Sequence, residues 1–145
     1  MKCALELTAM KVVANEQYTF EQMLLDEKCK LEHAQIVAAS IDFCETVIGP
    51  ALEERALDRL PICYSLRGDT RKDRLGNFLI SPLVRQKRSY ANGHPSEYAD
   101  FSQTYDVFTI KDYLEKHCLK VKLQDEWYKR YGFGDLRGVK LTVTV

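Results

Sequence analysis

Leu57-Asp58-Arg59-Leu60-Pro61-Ile62-Cys63-Tyr64-Ser65-Leu66-Arg67 (residues 57–67) is where this chain changes its hydrophobic period. Before it, Leu25, Cys29, His33, Val37, Ile41, Cys44 and Ile48 recur at steps of three and four. They therefore share one broad helical face, with Asp26, Glu32, Asp42, Glu45 and Glu53 mostly off it. After Pro61 the period becomes two: Ile62, Tyr64 and Leu66 alternate with Cys63, Ser65 and Arg67, as in a strand. Pro61 separates the regimes because the residue before a proline is pushed to extended geometry.

Working outward, Thr19-Phe20-Glu21-Gln22 reads as a capping box that starts the long helix. A shorter helix capped by Thr8, or a strand through Leu5 and Leu7, precedes it. Gly49-Pro50 predicts a kink or a fresh start, with a second helix from Pro50 to Arg59, because proline lacks a donor and clashes with the preceding turn. Downstream, the first strand is expected to end at Gly68-Asp69, followed by a polar loop from Asp69 to Gly76. Phe78 to Tyr90 forms one strand or two pieces broken at Ser81-Pro82. Asn92-Gly93-His94-Pro95 marks a turn. A segment carrying Tyr98, Phe101 and Tyr105 then returns as a strand. Thr109 reads as the cap of a short helix reaching His117. Leu119, Val121 and Leu123 alternate, as do Val139, Leu141, Val143 and Val145, with glycines between the runs, so a C-terminal hairpin is expected. Helices and strands segregate instead of alternating. The expected fold is α+β: a long amphipathic N-terminal helix, kinked or broken near Gly49-Pro50, packed on a small antiparallel sheet, with a short helix before the hairpin. One domain spans 1–145, helical over 1–60 and mostly β over 61–145.

With 145 residues, 46% of them hydrophobic, the chain can bury roughly 70% of its unfolded surface and needs no disulfide or metal to fold. Its five cysteines are odd in number and lack a Cys-x-x-Cys pair, which suits reduced thiols in a cytoplasm. The N-terminus is too short and too acidic for a signal peptide. No apolar run approaches the ~20 residues of a membrane span, so no membrane is expected as a partner.

Candidate chemistry is sparse. Cys29 and His33, four apart, have the spacing of two metal ligands, but they lie on the apolar stripe and lack paired satellites; no metal and no cofactor is expected. His117-Cys118 does not make a nucleophile pair: adjacent helical residues diverge by about 100°, and the helix C-terminus disfavours a thiolate. Tyr131-Gly132-Phe133-Gly134 lacks the Lys-Ser/Thr of a phosphate loop. Glu53-Glu54 reads as a solvated helix face. No catalytic residue is assigned, and an enzyme with a site around His94 or His117 ranks below the binding readings.

Charge is more informative. The 21 basic and 21 acidic side chains cancel overall, yet residues 1–66 hold 6 Lys/Arg against 11 Asp/Glu, and residues 67–88 hold 7 against 2. Arg67, Arg71, Lys72, Arg74, Arg85, Lys87 and Arg88, followed by Tyr90, form the candidate binding set. Mixed basic and aromatic side chains suit phosphate contact and base stacking, or docking on an acidic protein surface. The same pattern also describes a solvated loop and a charge-protected edge strand. A neutral total disfavours a general nucleic-acid binder, which is basic overall.

The order of elements, with a tail reading Tyr128-Lys129-Arg130-Tyr131-Gly132-Phe133-Gly134-Asp135-Leu136-Arg137-Gly138, resembles small accessory proteins of phages and bacterial mobile elements. That resemblance implies compact proteins that bind host machinery, anti-CRISPR inhibitors among them. The leading expectation is therefore a non-enzymatic, cytoplasmic interaction protein that binds a host protein or ribonucleoprotein through charged surfaces. The alternative is direct binding of DNA or RNA through the basic 67–88 segment. A long amphipathic helix also leaves room for a homodimer.

Overall fold

The computed structural model describes residues 1–85, 97–130 and 134–145; at Arg85, 127–130 and 134–137 it describes the backbone alone. Helix α1 (Ala4–Phe43) passes through a π-helical turn (Cys44–Ile48) into α2 (Gly49–Leu57). Strands β1 (Cys63–Lys72), β2 (Phe78–Arg85), β3 (Glu97–Ala99) and β4 (Tyr105–Asp106) follow, then α3 (Val107–Lys116), β5 (Lys120–Arg130) and β6 (Gly134–Thr144). The sheet is antiparallel, in the order β3-β2-β1-β6-β5 with β4 on β2. This is the α+β arrangement of a long helix on a small antiparallel sheet.

The helix starts well before Thr19. Its hydroxyl donates back to the Asn15 carbonyl (3.0 Å), and Thr8 does the same to Ala4 (2.8 Å), so both threonines sit inside the helix as back-bonded residues and not as caps. The interruption expected at Gly49-Pro50 takes the form of the π turn before it. The Gly49 amide reaches the Cys44 carbonyl, five residues back, so the ladder is re-registered where Pro50 offers no donor. Arg59 then takes a left-handed backbone (φ 58°), and the Leu60 amide returns to the Arg55 carbonyl, closing the helix ahead of Pro61.

β1 continues through Gly68-Asp69 to Lys72, and the connecting turn is confined to Asp73–Asn77. Glycine is needed at 68 for close approach, not for a turn. A Cβ there would lie 2.4 Å from Ile80 Cγ1 and 2.6 Å from the Ser81 carbonyl oxygen. Pro82 lies inside β2, where that strand's outer edge changes partner. Leu79 and Ile80 face β4, while Leu83 to Arg85 face β3. The missing amide therefore falls in the gap between two ladders.

The core is formed by Phe43, Cys44, Ile48 and Leu52 from the helix, Val107, Ile110 and Leu114 from α3, and Leu66, Ile80, Leu141 and Val143 from the sheet. On the expected apolar stripe, burial rises along the chain. Leu25 is exposed, Cys29 to Ile41 are half-buried, and Cys44 and Ile48 are buried. Only the C-terminal part of α1 and its continuation reach the core.

Helix Ala4–Leu57 is long and apolar enough to cross a membrane by composition, with a mean hydropathy of 1.2 over its best 18-residue stretch. The helix reaches this value through Ala, Cys and spaced aliphatics, although no run is purely apolar.

Candidate interaction surfaces

The basic set divides into three. Arg67 and Arg74 are engaged internally. Arg67 extends from central β1 and forks onto Glu97 of β3 (2.6 and 3.1 Å) while its Nε donates to Glu126 of β5 (2.8 Å). Both carboxylates come from opposite ends of the strand order, which the curled sheet brings into contact. The hydrogen bond to Glu97, outweighing partial burial and aided by Glu126, raises the guanidinium's pKa further. Arg74 leaves the β1–β2 turn to meet Asp26 (2.6 Å) and Gln22 on α1. Arg71 and Lys72 are exposed and make no ion pair among the described residues. Arg85 contributes its backbone to β2, and its side chain, with Lys87, Arg88 and Tyr90, lies outside the description. Of the four basic side chains that the structure describes, two are thus engaged internally and two are exposed without an ion pair.

A groove of about 320 Å³ runs between α1 and the β1–β2 hairpin, past Cys29, His33, Arg71, Asp73 and Arg74. Its charged groups are mostly paired. Burial opposes ionisation of Asp73. Hydrogen bonds from the Asn77 side chain, the Asn77 and Leu75 amides and the Cys29 thiol override this and hold its carboxyl below the usual value. His33 Nε2 meets Asp106 Oδ2 at 2.8 Å. Asp106 Oδ1 accepts from the Thr109 amide (2.8 Å), making Asp106 the true N-cap of α3 in place of Thr109. Its own amide donates to buried Ser40 (2.8 Å). Cys29 and His33 therefore each serve a different carboxylate. Among the described residues no three His, Cys, Asp or Glu side chains converge as metal ligands.

His117 ends α3 exposed, with Nδ1 2.8 Å from the Tyr113 carbonyl. Cys118, exposed and with φ 61°, is the left-handed residue after the helix, and the Leu119 amide closes the turn onto Leu114. His94 lies outside the described residues.

The surface that sequence reasoning missed is the first half of α1. Every residue from 1 to 21 is exposed, and the first half-buried one is Gln22. Met10, Val13, Phe20, Leu24 and Leu31 are each between 51% and 69% exposed, with Leu5, Val12, Tyr18 and Met23 also open to solvent. A second 3–4 spacing beginning at Met10, parallel to the stripe read from Leu25, was the available signal.

Fold and surface together define a small α+β protein with a projecting apolar helical arm. Compared with known proteins, the chain matches no family model, no curated protein and no solved structure.

Proposed function

We propose that this chain is a non-enzymatic interaction protein whose α+β body carries the first half of α1 as a docking arm for another protein. The exposed apolar side chains of that arm carry the reading. Monomeric soluble proteins rarely show contiguous apolar patches beyond a few hundred Å² unless something docks there. A membrane surface fits less well, since interfacial helices are rich in Lys and Arg. Residues 1–25 hold Lys2 and Lys11 against Glu6, Glu16 and Glu21. Free Arg71 and Lys72 supply a secondary, charged contact. The proposed setting is the cytoplasm, supported by five free thiols. A narrower form, an inhibitor of mobile-element type that occupies a host protein or ribonucleoprotein, has the resemblance of the 128–138 tail as its support.

Site-specific photocrosslinking in cells tests the reading. The full chain would carry Leu24→benzoylphenylalanine on the arm, with Lys122→benzoylphenylalanine on the exposed sheet as background. Protein adducts specific to position 24 support it. Adducts with nucleic acid or lipid alone, or none above the position-122 background, would overturn it.

A further inference from the structure

We propose that the arm pairs with a second copy of this chain as an antiparallel two-stranded coiled coil over residues 10–38, with the twofold axis beside Gln22. This rests on the reading of α1 as a docking arm and names its occupant. Met10, Val13, Gln17, Phe20, Leu24, Glu27 and Leu31, continuing to Ala34 and Ala38, recur at alternating steps of three and four. That is the spacing of coiled-coil seam positions, and every one of these residues is exposed. The residues that meet the body, Gln22, Asp26, Cys29, His33, Ile36 and Ser40, also step by three and four. At 100° per residue the two stripes point roughly 170° apart. The body covers one face of the helix and leaves the other continuous and unobstructed.

Charge and polarity select orientation and register. A parallel, in-register pair would set Glu27 against Glu27 of the second copy. It would also place Glu16 beside Glu21 across the seam, since parallel flanking positions pair five residues apart. In the antiparallel register centred at 22, paired seam positions sum to 44. Val13 then meets Leu31, Phe20 meets Leu24, Met10 meets Ala34, and the two polar seam residues, Gln17 and Glu27, meet each other. Glu16 falls beside Lys30 of the second copy, twice by symmetry. Shifting the register by one heptad in either direction sets Glu27 against Met10 or against Leu24. The chosen register has one cost: the two Glu21 side chains approach each other at the axis. The area suffices. A strip about one third of the helix circumference wide and about 42 Å long removes roughly 1,000 Å² across both copies, enough for a specific interface.

Sedimentation velocity on the purified full chain tests the proposal. A dimer is expected at tens of micromolar. Glu16→Lys or Lys30→Glu alone should weaken it roughly tenfold, because two attractive pairs become repulsive, and the double variant should restore it. Glu21→Gln should tighten it. Leu24→Glu with Leu31→Glu should weaken it more than roughly a hundredfold while leaving near-ultraviolet circular dichroism, which reports the packed aromatic side chains of the body, unchanged, since both are exposed in the single chain. A parent chain monomeric at that concentration overturns the second copy as occupant. If crosslinking at position 24 still captured a different protein, the docking-arm reading would stand. A dimer strengthened by Glu16→Lys, or one the double charge swap fails to restore, overturns the antiparallel register.

Discussion

Asp106→Ala should cost this protein about 2.5 kcal/mol, a magnitude that follows from the two bonds its side chain makes. The side chain is only 8% exposed. Oδ1 caps α3 through the Thr109 amide, and losing such a cap costs about 1 kcal/mol. Oδ2 holds His33 of α1 at 2.8 Å, a bond to a charged acceptor worth about 1.5 kcal/mol. The third bond, from the Asp106 amide to Ser40, belongs to the backbone and survives the substitution. At roughly 2–4 °C per kcal/mol for a chain of this size, the melting point should fall by roughly 5–10 °C. Asp106→Asn is the informative companion. It keeps an acceptor for Thr109 and offers His33 an amide donor, which the imidazole can accept in one tautomer, so it should cost under about 1 kcal/mol. Urea unfolding followed by circular dichroism, at one fixed protein concentration, measures both. A cycle with His33→Ala should return a coupling of about 1 kcal/mol. An Asp106→Ala variant within about 0.5 kcal/mol of the parent would refute the reasoning, since that is the range of surface changes with no structural role. So would an Asn variant as unstable as the Ala one, which would locate the effect in packing and not in hydrogen bonding.

Arg67→Ala should cost about 2 kcal/mol in the same urea assay, because it leaves Glu97 and Glu126 facing each other uncompensated; Arg71→Ala, unpaired and exposed, should stay within about 0.5 kcal/mol. Equal costs would contradict the division of the basic set into internal and free members. Burial, with Glu45 adding to it, pushes the Cys44 thiol from 9.0 up to about 11, and burial raises Tyr64 and Tyr105 in the same direction. Between those pH values the folded state keeps a proton that the unfolded chain has lost. The Cys44 contribution is therefore complete below pH 9 and falls by about 1.4 kcal/mol per pH unit from there to about 11, where the folded thiol also ionises. Cys44→Ala should remove that part of the alkaline slope, and an unchanged slope would show that the buried thiol does not hold the proton.

The parts of the fold legible in the sequence were those written in local period. The switch at Pro61, the helix ahead of it and the C-terminal hairpin each follow from neighbours a few residues apart. Three features needed the tertiary structure. Gly68-Asp69 has the composition of a turn, but the reason for glycine there is the side chain of Ile80 on the adjacent strand. Thr109 has the composition of a cap, but Asp106, one turn earlier, takes that place and reaches a histidine 73 residues away. Arg67 belongs to a basic cluster in sequence, yet its partners lie 30 and 59 residues off and come from two strands that meet only because the sheet curls. The exposed arm had its own signal, in a second stripe of the same helix. Following one stripe from Leu25 identified the face that packs on the body. It passed over the opposite stripe from Met10, whose lack of any internal partner is evident only once the body is in place.

The uneven charge along the chain then takes a more limited meaning. Part of the opposition between an acidic front and a basic segment is internal: Arg74 of the hairpin is bonded to Asp26 and Gln22 where α1 first meets the body. That contact marks the base of the arm. N-terminal to it, no side chain is covered. A helix of about twenty residues without tertiary support is marginal in water, because each residue fixed costs entropy that burial must offset. For residues 4–21 no such burial is available within one chain. On the proposed docking, the order of the arm is tied to its occupancy, and whatever free energy its apolar seam gains also holds it helical. Association and arm formation are then one equilibrium, with the Asp26–Arg74 contact as the fixed end from which the helix extends.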